Sequence, residues 1–393
     1  MSMTVLLLMP LAEQRGGAEL ALKQLLQYGR RDDVKWHVVF FEDGPMVRQA
    51  RELGVGAEVI PAGRLRQPGQ MIQCIRKIVT LSRRVDASAI FSWMGKAQIY
   101  GGLAAKLAGI PNGWFQHGIP SARDTMDVAA TLLPAKRILA CSKAASEAQQ
   151  RLWPRRDARV CYPPVDITEY DRAAFPSVRE TRSRLRLPAD GPLVGIVGRL
   201  QRWKGFHTVI KAMPRILATH PTARCVLIGG EHALEPKYPN HLHGLIGSLK
   251  LADCVSMVGF QSNIAEWMHA MDVIVHASDR EPFGMVVIEA MALGKPVVAG
   301  DNGGPREIIT PGVDGLLAPY DDEERLADAV LTYLDDPDFA RRVGAAALHR
   351  AQAFSSQRFA CEVTANIRAF AGCSRADEAT SVASTVVAGQ LSV

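Results

Sequence analysis

Short apolar runs alternate with helical patterns along the first part of the chain. In the runs nearly every position is apolar, as in a strand covered on both faces, whereas the segments between them repeat apolar residues every three or four positions. This alternation is typical of a parallel sheet with helices on both sides. The predicted strands span residues 5–9, 36–41, 57–60, 89–92, 113–116 and 137–140, and the predicted helices span residues 18–28, 72–84, 98–108 and 143–152.

The alternation stops at Pro163-Pro164 and starts again after Pro192. The break predicts two doubly wound α/β domains, residues 1–175 and 176–355. The last stretch, residues 374–393, has few charges and no clear period, and we expect a disordered tail there. Beyond the break the predicted strands span residues 193–197, 224–228, 254–258, 273–276, 296–299 and 315–317, and the helical patterns span residues 206–217, 243–249, 264–270, 285–293, 323–334 and 345–370.

The composition fits a globular protein with two cores. The chain has 393 residues, of which 48% are hydrophobic and 22% are charged. No apolar run reaches the roughly 18–20 residues that a membrane-spanning helix needs, and the first residues lack the basic region and cleavage site of a signal peptide. The seven cysteines are scattered without a C-x-x-C pair. We therefore expect neither a disulfide framework nor a zinc site, and predict a cytoplasmic location.

Positive charge gathers in one region of the first domain. The formal net charge of the chain is +6, and a helical pattern at residues 71–85 sets apolar Ile75, Ile78 and Val79 against basic side chains. A solvated helix face is one interpretation, and peripheral contact with the inner face of the cell membrane is the alternative. We expect no nucleic-acid partner. The basic residues of this region are Arg64, Arg66, Arg76, Lys77, Arg83 and Arg84.

One segment places two carboxylates, Glu281 and Glu289, eight residues apart around a Pro-Phe-Gly turn. Glu281 follows a predicted strand, and Glu289 lies inside the predicted helix 285–293. The first N–H groups of a helix lack partners and attract anions. Each carboxylate can accept hydrogen bonds from two adjacent hydroxyls, as on a sugar and a ribose. The layout predicts a pocket for a sugar nucleotide, and general acid–base catalysis by the pair is the alternative.

Two further strand ends carry candidate groups. After the first strand, Gly16 and Gly17 precede a helix and allow a phosphate or sugar to approach the backbone. After the first strand of the second domain, Arg199 offers a planar fork for phosphate oxygens and Lys204 a point charge, with Gly205 opening the next helix. A simple strand-to-helix turn and ordinary surface cations are the respective alternatives.

Three more segments complete the candidates. His117, at the end of a predicted strand, is either a structural side chain or a group that contacts a sugar hydroxyl. The glycines of segment 301–307 fit a ligand close to the backbone, whereas Asp301 or Asn302 fits a helix cap. Asp336-Pro337-Asp338 lies between two helical patterns, so we interpret it as a helix cap and predict no metal site.

These residues together resemble the retaining GT-B glycosyltransferases of the glycogen-synthase and sucrose-synthase type, the bacterial group 1 glycosyltransferases. The resemblance covers about the first 370 residues and rests on four motifs in order, which are G-G-x-E at 16–19, G-R…K-G at 198–205, E-x-F-G with a second Glu at 281–289, and G-G-x-x-E at 303–307. It implies two Rossmann-like domains facing a cleft, an N-terminal one for the acceptor and a C-terminal one for the sugar nucleotide. It also implies that helix 356–373 returns to the first domain.

The resemblance implies roles for the matching positions. Arg199 and Lys204 would hold the diphosphate, Glu281 the hydroxyls of the transferred sugar, and Glu289 the ribose hydroxyls. His117 would contact the sugar near the reaction centre. The remaining donor-binding positions are the glycine loop of Gly16 and Gly17, the backbone of Phe283, Gly284 and Met285 beside the sugar, and the amides of Val286 and Val287 beside the phosphate.

The implied reaction is transfer of a hexose from a UDP- or GDP-sugar with retention of configuration, without a metal or other cofactor, as in polysaccharide biosynthesis. The acceptor would be a glycan, a lipid-linked sugar or a small molecule. Alanine at Glu281 or Lys204 is expected to abolish transfer and leave the fold intact. Two other functions stay open. One is an NAD-dependent oxidoreductase with Glu42-Asp43 at the ribose, although G-x-G-x-x-G is missing, and the other is a nucleotide-sugar-binding module without catalysis.

Overall fold

The computed structural model describes residues 3–14, 16–29, 34–63 and 66–372. Within these residues the first half of the chain forms one parallel sheet. Its strands are β1 Met3–Met9, β2 Val34–Phe40, β3 Gly56–Val59, β4 Ala89–Trp93, β5 Asn112–Gln116, β6 Arg137–Ala140 and β7 Arg159–Val160. Their order across the sheet is β3-β2-β1-β4-β5-β6-β7.

The second half forms another parallel sheet. Its strands are β8 Leu193–Val197, β9 Arg224–Ile228, β10 Val255–Gly259, β11 Val273–His276, β12 Val297–Gly300 and β13 Leu316–Ala318, in the order β10-β9-β8-β11-β12-β13. The predicted fold class of two doubly wound α/β units is confirmed. The change from one sheet to the other falls between Val160 and Leu193, and the domain limits 1–175 and 176–355 stay a prediction.

Helices cover both faces of the two sheets. In the first half they are α1 Gly17–Tyr28, α2 Pro45–Glu52, α3 Pro68–Arg84, α4 Gly95–Ala108, α5 Thr125–Leu132 and α6 Lys143–Gln150. In the second half they are α7 Val178–Arg184, α8 Phe206–Thr219, α9 Tyr238–Ser248, α10 Ile264–Ala270, α11 Met285–Ala292, α12 Pro305–Ile308, α13 Glu323–Asp335, α14 Pro337–Ala351 and α15 Ser356–Ala371. Asp336 accepts a hydrogen bond from the Phe339 amide at 2.8 Å and so caps α14, as predicted.

The central strands explain the apolar runs of the sequence. β1 pairs with β2 on one side and β4 on the other, and residues 5–9 are fully buried. β8 holds the same position in the second sheet, between β9 and β11. The strand order reverses beside each central strand, and ligands of doubly wound sheets bind outside the carboxyl ends of the strands at such points. The two sheets therefore offer two adjacent binding edges.

The last helix returns to the first domain. The Ser356 hydroxyl donates a hydrogen bond to Gln24 Oε1 at 2.7 Å, and the Phe359 ring lies 6.0 Å from the Phe115 ring. The single helix predicted over residues 345–370 is wrong at one point, because α14 ends at Ala351 and Ser355 is extended. The break lets the chain cross between the domains. The predicted tail 374–393 lies outside the described residues.

The basic helix α3 has one buried and one charged face. Ile75 and Ile78 are buried, whereas Arg76 and Lys77 are exposed, and Arg84 forms an ion pair with Glu58 of β3. Arg64 lies outside the described residues. No helix within the described part of the chain is long and apolar enough to cross a membrane.

Candidate functional site

The predicted site residues follow the carboxyl ends of four strands, and two of these ends meet between the domains. Gly17 begins α1 after β1, and Met285 begins α11 after β11. A Cβ atom added to Gly17 would lie 2.6 Å from Met285 Cγ. The backbone of the glycine loop therefore packs directly against the side chain at the start of α11, and the absence of a side chain at Gly17 is what permits this approach.

Glu281 lies in a polar cluster that sequence spacing alone did not reveal. Its Oε2 atom is 2.6 Å from Lys204 Nζ and 3.1 Å from His276 Nε2, and Ser278 Oγ also lies 3.1 Å from His276 Nε2. The Lys204 and Glu281 side chains are only 13% and 11% exposed. Since an ionised carboxylate can only accept hydrogen bonds, we place a proton on His276 Nε2.

The cluster keeps Glu281 ionised. Burial by itself raises the pKa of this carboxyl group, but the Lys204 ammonium and the hydrogen bond from His276 oppose that effect and hold the pKa well below its usual range. A carboxylate of this kind accepts hydrogen bonds from hydroxyls but has no proton to give near neutral pH. These properties therefore disfavour general acid catalysis by Glu281. They agree with the expected role of Glu281 as an acceptor of hydrogen bonds from sugar hydroxyls.

A glycine places Lys204 in this cluster. Gly205 has a φ of +74°, and a Cβ atom there would lie 2.0 Å from the Ala277 carbonyl oxygen. The chain therefore folds tightly against the end of β11, with the Asp279 amide donating to the Trp203 carbonyl at 2.7 Å. Arg199 behaves differently. Its side chain is exposed and makes no hydrogen bond or ion pair to another described residue.

The start of α11 presents free amide groups. Gly284 precedes the helix with a φ of +109°, and no side chain caps the first turn. The amides of Met285 and Val286 make no hydrogen bond within the described residues, whereas the Val287 amide already donates to the Gly284 carbonyl at 3.0 Å. Met285 and Val286 therefore offer the unpaired donors, and Val287 does not, because the first helical turn occupies its N–H.

Segment 301–304 supports the Glu281 turn and does not cap a helix. Asn302 donates from Nδ2 to the Ser278 carbonyl at 2.9 Å and accepts at Oδ1 from the Glu281 amide at 3.3 Å. The Gly304 amide donates to the Glu281 carbonyl at 2.9 Å. Asp301 instead pairs with Arg306 at 2.6 Å. The cap suggested by the sequence is wrong, because both polar side chains have other partners.

Glu289 lies inside α11, after the 281–284 turn, and is buried. Burial, with the nearby Glu169 carboxylate as the second cause, raises its pKa to about 7, and a hydrogen bond from the Tyr170 hydroxyl opposes the rise. Tyr170 and Glu169 belong to the segment that joins the domains. Glu289 therefore lies where this segment meets α11, and its charge depends on pH near neutrality.

His117 lies in the first domain and packs against two aromatic rings. Its ring is 4.2 Å from the Phe115 ring and 4.8 Å from the Trp93 ring. Trp93 Nε1 donates a hydrogen bond to the Ala18 carbonyl at 2.9 Å, which connects these aromatic rings to the glycine loop. Burial lowers the pKa of His117 to about 3, and its Nε2 atom is buried without a hydrogen-bond partner among the described residues. The ring is therefore neutral at physiological pH.

A cavity of about 770 Å³ lies elsewhere, at the amino ends of β8, β11 and β12. Two of the cations that line it bind carbonyls at the end of α10. Arg182 Nε donates to the Ala270 carbonyl at 2.9 Å, and Lys295 Nζ donates to the His269 and Met271 carbonyls at 2.6 and 2.8 Å. Cations favour the carbonyl end of a helix, so these side chains are structural and the cavity is separate from the cleft.

Other chemistries have less support in the described residues. Glu42, the ribose-binding group expected of a dinucleotide enzyme, accepts a hydrogen bond from the Ala12 amide at 3.1 Å. No three His, Cys, Asp or Glu side chains of the described ranges are grouped so that they could hold a metal ion.

Two family models match the chain in succession. The model described as Glycosyltransferase Family 4 matches residues 15–169, and the model described as Glycosyl transferases group 1 matches residues 177–350. Glu281, Lys204 and Glu289 lie in the second match, and Gly17 and His117 lie in the first.

Curated relatives match over part of their length. A D-inositol 3-phosphate glycosyltransferase from Frankia alni is 35% identical over 201 residues, which are 50% of this chain and 49% of the relative. The chain thus spans about half the length of the curated relatives it matches.

Solved structures match over nearly the whole chain. The Anabaena protein Alr3699/HepE in complex with UDP is 28% identical, with a TM-score of 0.83 over 93% of this chain and 100% of that one. The same protein in complex with UDP-glucose is 28% identical, with a TM-score of 0.82 and the same coverage.

Proposed function

We propose that this chain, whose two halves match the models described as Glycosyltransferase Family 4 and Glycosyl transferases group 1 and whose fold is that of GT-B glycosyltransferases, transfers a hexose from a UDP-sugar to an acceptor with retention of configuration. The observation that carries the proposal is the buried Glu281–Lys204 pair beside the free amides of α11. It sets a hydroxyl acceptor, a cation and a helix start within one small volume, which is what a sugar joined to a diphosphate requires.

The donor would lie across the start of α11. The amides of Met285 and Val286, the Lys204 ammonium and the exposed Arg199 guanidinium would receive the diphosphate. Glu281 would accept hydrogen bonds from the sugar and Glu289 from the ribose. The UDP and UDP-glucose complexes of the Anabaena protein support a UDP-sugar over a GDP-sugar. We also propose that these cations and amides balance the leaving-group charge without a metal.

Retention would proceed by front-face attack. Glu281 is bound to Lys204 and His276, so it is poorly placed to act as a nucleophile toward the anomeric carbon. The acceptor oxygen would attack from the side of the leaving diphosphate, the bond between the anomeric carbon and the phosphate oxygen would break, and that oxygen would take the acceptor proton. Catalysis would then rest on positioning and charge stabilisation, with neutral His117 as a hydrogen-bonding group for the sugar.

The acceptor would enter from the first domain, past the glycine loop. The names of the curated relatives, D-inositol 3-phosphate glycosyltransferases, support a small phosphorylated polyol. A glycan and a lipid-linked sugar are the other acceptors to test.

Thermal-shift measurements with UDP, UDP-glucose, GDP, ADP and NAD test the donor site. We expect UDP and UDP-glucose to raise the melting temperature in the presence of EDTA. A ligand at about 100 times its Kd adds about 2.7 kcal/mol to the free energy of unfolding. UDP release with an acceptor panel then tests transfer. Stabilisation by NAD alone would instead favour the oxidoreductase, and tight UDP binding without any turnover would favour a binding module.

Gly17→Ala is expected to lower turnover about tenfold, because the added Cβ overlaps Met285 Cγ, and overpacking of this kind costs about 1–3 kcal/mol. Turnover is measured as UDP release. The double variant Gly17→Ala/Met285→Ala should recover most of the loss, since only the Met285 side chain blocks the space. Gly244→Ala is the matched control, because a Cβ there meets no atom within 4 Å. Wild-type turnover in Gly17→Ala would show that this approach is dispensable.

A further inference from the structure

Glu307 reaches from the second domain into the first. It lies on α12, yet its Oε2 atom accepts a hydrogen bond from the Lys143 amide at 2.7 Å and its Oε1 atom accepts one from the Ala144 amide at 2.9 Å. Both amides belong to the first turn of α6. Glu307 closes the G-G-x-x-E motif of the sequence, and the resemblance gave it no role.

These two bonds complete the cap of α6. The first amides of a helix have no partners within the helix. Ser142 Oγ accepts from the Ala145 amide at 3.0 Å, and the Ser146 amide donates to the Ser142 carbonyl at 2.9 Å. The amides of Lys143 and Ala144 are left, and Glu307 takes both. A carboxylate at this helix end is favourable in charge as well as in hydrogen bonding.

Glu307 is itself held on both sides. Arg350 of α14 donates to the Glu307 carbonyl at 3.0 Å and to the Ile308 carbonyl at 3.1 Å. The Tyr162 hydroxyl, from the first domain, lies beside the Glu307 carboxylate, and burial together with this negative charge raises the pKa of Tyr162 to about 12. Glu307 therefore joins the two domains, with its main-chain carbonyl bound to α14 and its carboxylate bound to α6 and next to Tyr162.

Tyr162 also contacts the 281–284 turn. Its ring stacks on Phe283 with a centroid distance of 5.7 Å and an interplanar angle of 28°, and Phe354 lies 5.7 Å from both rings. Phe283 is 3% exposed and stands between Glu281 and Gly284. The outer side of the turn is therefore covered by a residue of the opposite domain.

We propose that Glu307 and Tyr162 form an interdomain latch, a pair of positioning residues that holds the 281–284 turn in place while the domains are together. The inference rests on the proposed function, because it assigns the turn to the donor sugar. Separation of the domains would remove the Lys143 and Ala144 amides and Tyr162 from the Glu307 carboxylate, and it would uncover Phe283 in the same step. The latch thus links the shape of the donor-sugar turn to the contact between the domains.

Loss of the latch is expected to lower turnover and to leave nucleotide binding nearly unchanged. The groups proposed to bind UDP are on the second domain, so they keep their places when the latch is lost. His117 and Gly17 are on the first domain. We expect Glu307→Ala to lower kcat about tenfold, the size of effect that one lost helix cap has on an equilibrium. UDP affinity, measured by titration calorimetry, should change less than about twofold. Tyr162→Phe should act in the same direction and more weakly.

Two readouts do not depend on activity. In the full chain, hydrogen exchange at the amides of residues 143–144 should speed up in Glu307→Ala and less in Glu307→Gln, whose amide oxygen still accepts one hydrogen bond. Small-angle X-ray scattering should show a larger radius of gyration for Glu307→Ala. Arg306→Ala, one residue away, removes only the exposed pair with Asp301 and should match the wild type in all measurements.

The opposite results would overturn the latch. One such result is that Glu307→Ala changes neither the hydrogen exchange of residues 143–144 nor the radius of gyration. The other is a loss of UDP affinity as large as the loss of kcat, because that would place Glu307 at the donor site. Absence of transfer in the wild type with every donor and acceptor would defeat the proposed function, while exchange and scattering would still decide whether Glu307 joins the domains.

Discussion

Replacing Lys204 with methionine is expected to lower turnover about 10²–10³-fold, the usual loss when one charge-stabilising group leaves an active site. The same change should also destabilise the fold. Lys204 Nζ lies 2.6 Å from Glu281 Oε2, and both side chains are nearly buried. Methionine keeps the length of the side chain but leaves the carboxylate without its counter-ion, which costs about 3–5 kcal/mol for a buried pair. Turnover is measured as UDP release from UDP-glucose, and stability as the free energy of unfolding in urea.

The double variant Lys204→Met/Glu281→Gln separates the two effects. It leaves neither charge buried, so most of the free energy of unfolding should return while turnover stays low. Arg215→Ala is the control, because it breaks an exposed ion pair with Asp328, and such pairs contribute about 1 kcal/mol at most. Normal turnover in Lys204→Met would remove this residue from the diphosphate site. Equal stability of the single and double variants would show that the pair does not set stability.

This expectation differs from the one that the sequence alone supports. From spacing, Glu281 and Lys204 are separate ligand-binding groups, so alanine at either position should spare the fold. The structure places them in one buried cluster with His276. The loss of activity stays a prediction, and the expected stability of the variants changes. The sequence does not reveal the partner of each charge, because the two residues are 77 positions apart.

The strands were predictable where burial on both faces leaves a continuous apolar run. β1 and β8 are of this kind, and the structure confirms them. β7 was missed, because a two-residue strand, Arg159–Val160, makes no run. α2 and α12 were also missed. The first is polar at half of its positions and begins at Pro45, and the second spans only Pro305–Ile308, too short for a helical period.

Within the site, local groups were predictable and tertiary partners were not. Glu281, Gly284 and Glu289 belong to one segment whose turn and helix start are readable from residue type. The groups that set their charge come from elsewhere, with Lys204 from the β8 loop and Tyr170 from the segment between the domains. The cap that Glu307 supplies to α6 spans 164 residues of sequence, so no local pattern points to it.

The pH dependence of stability follows from Glu289. Its pKa is about 7 in the folded chain against an ordinary value of 4.5. Between these two values the unfolded chain loses the proton while the folded chain keeps it, so the contribution of Glu289 to stability is fully present below pH 4.5 and is lost as the pH rises through 7. The complete loss is about 3 kcal/mol. Glu289→Gln should therefore be more stable than the wild type at pH 8 and equal to it at pH 4, by urea denaturation.

The same carboxyl group should make donor binding pH-dependent. Ribose hydroxyls donate hydrogen bonds to the ionised form, so the affinity for UDP-glucose should rise as the pH increases through 7, with release of a proton on binding below that pH. UDP-glucose is the suitable probe, because its diester phosphates lack the second ionisation near pH 6 of a terminal phosphate. Glu289→Gln should lose this dependence, and Glu169→Gln should move it to lower pH, since the Glu169 charge contributes to the raised pKa of Glu289. Calorimetric titrations at several pH values that give one constant affinity in the wild type would place the ribose away from Glu289.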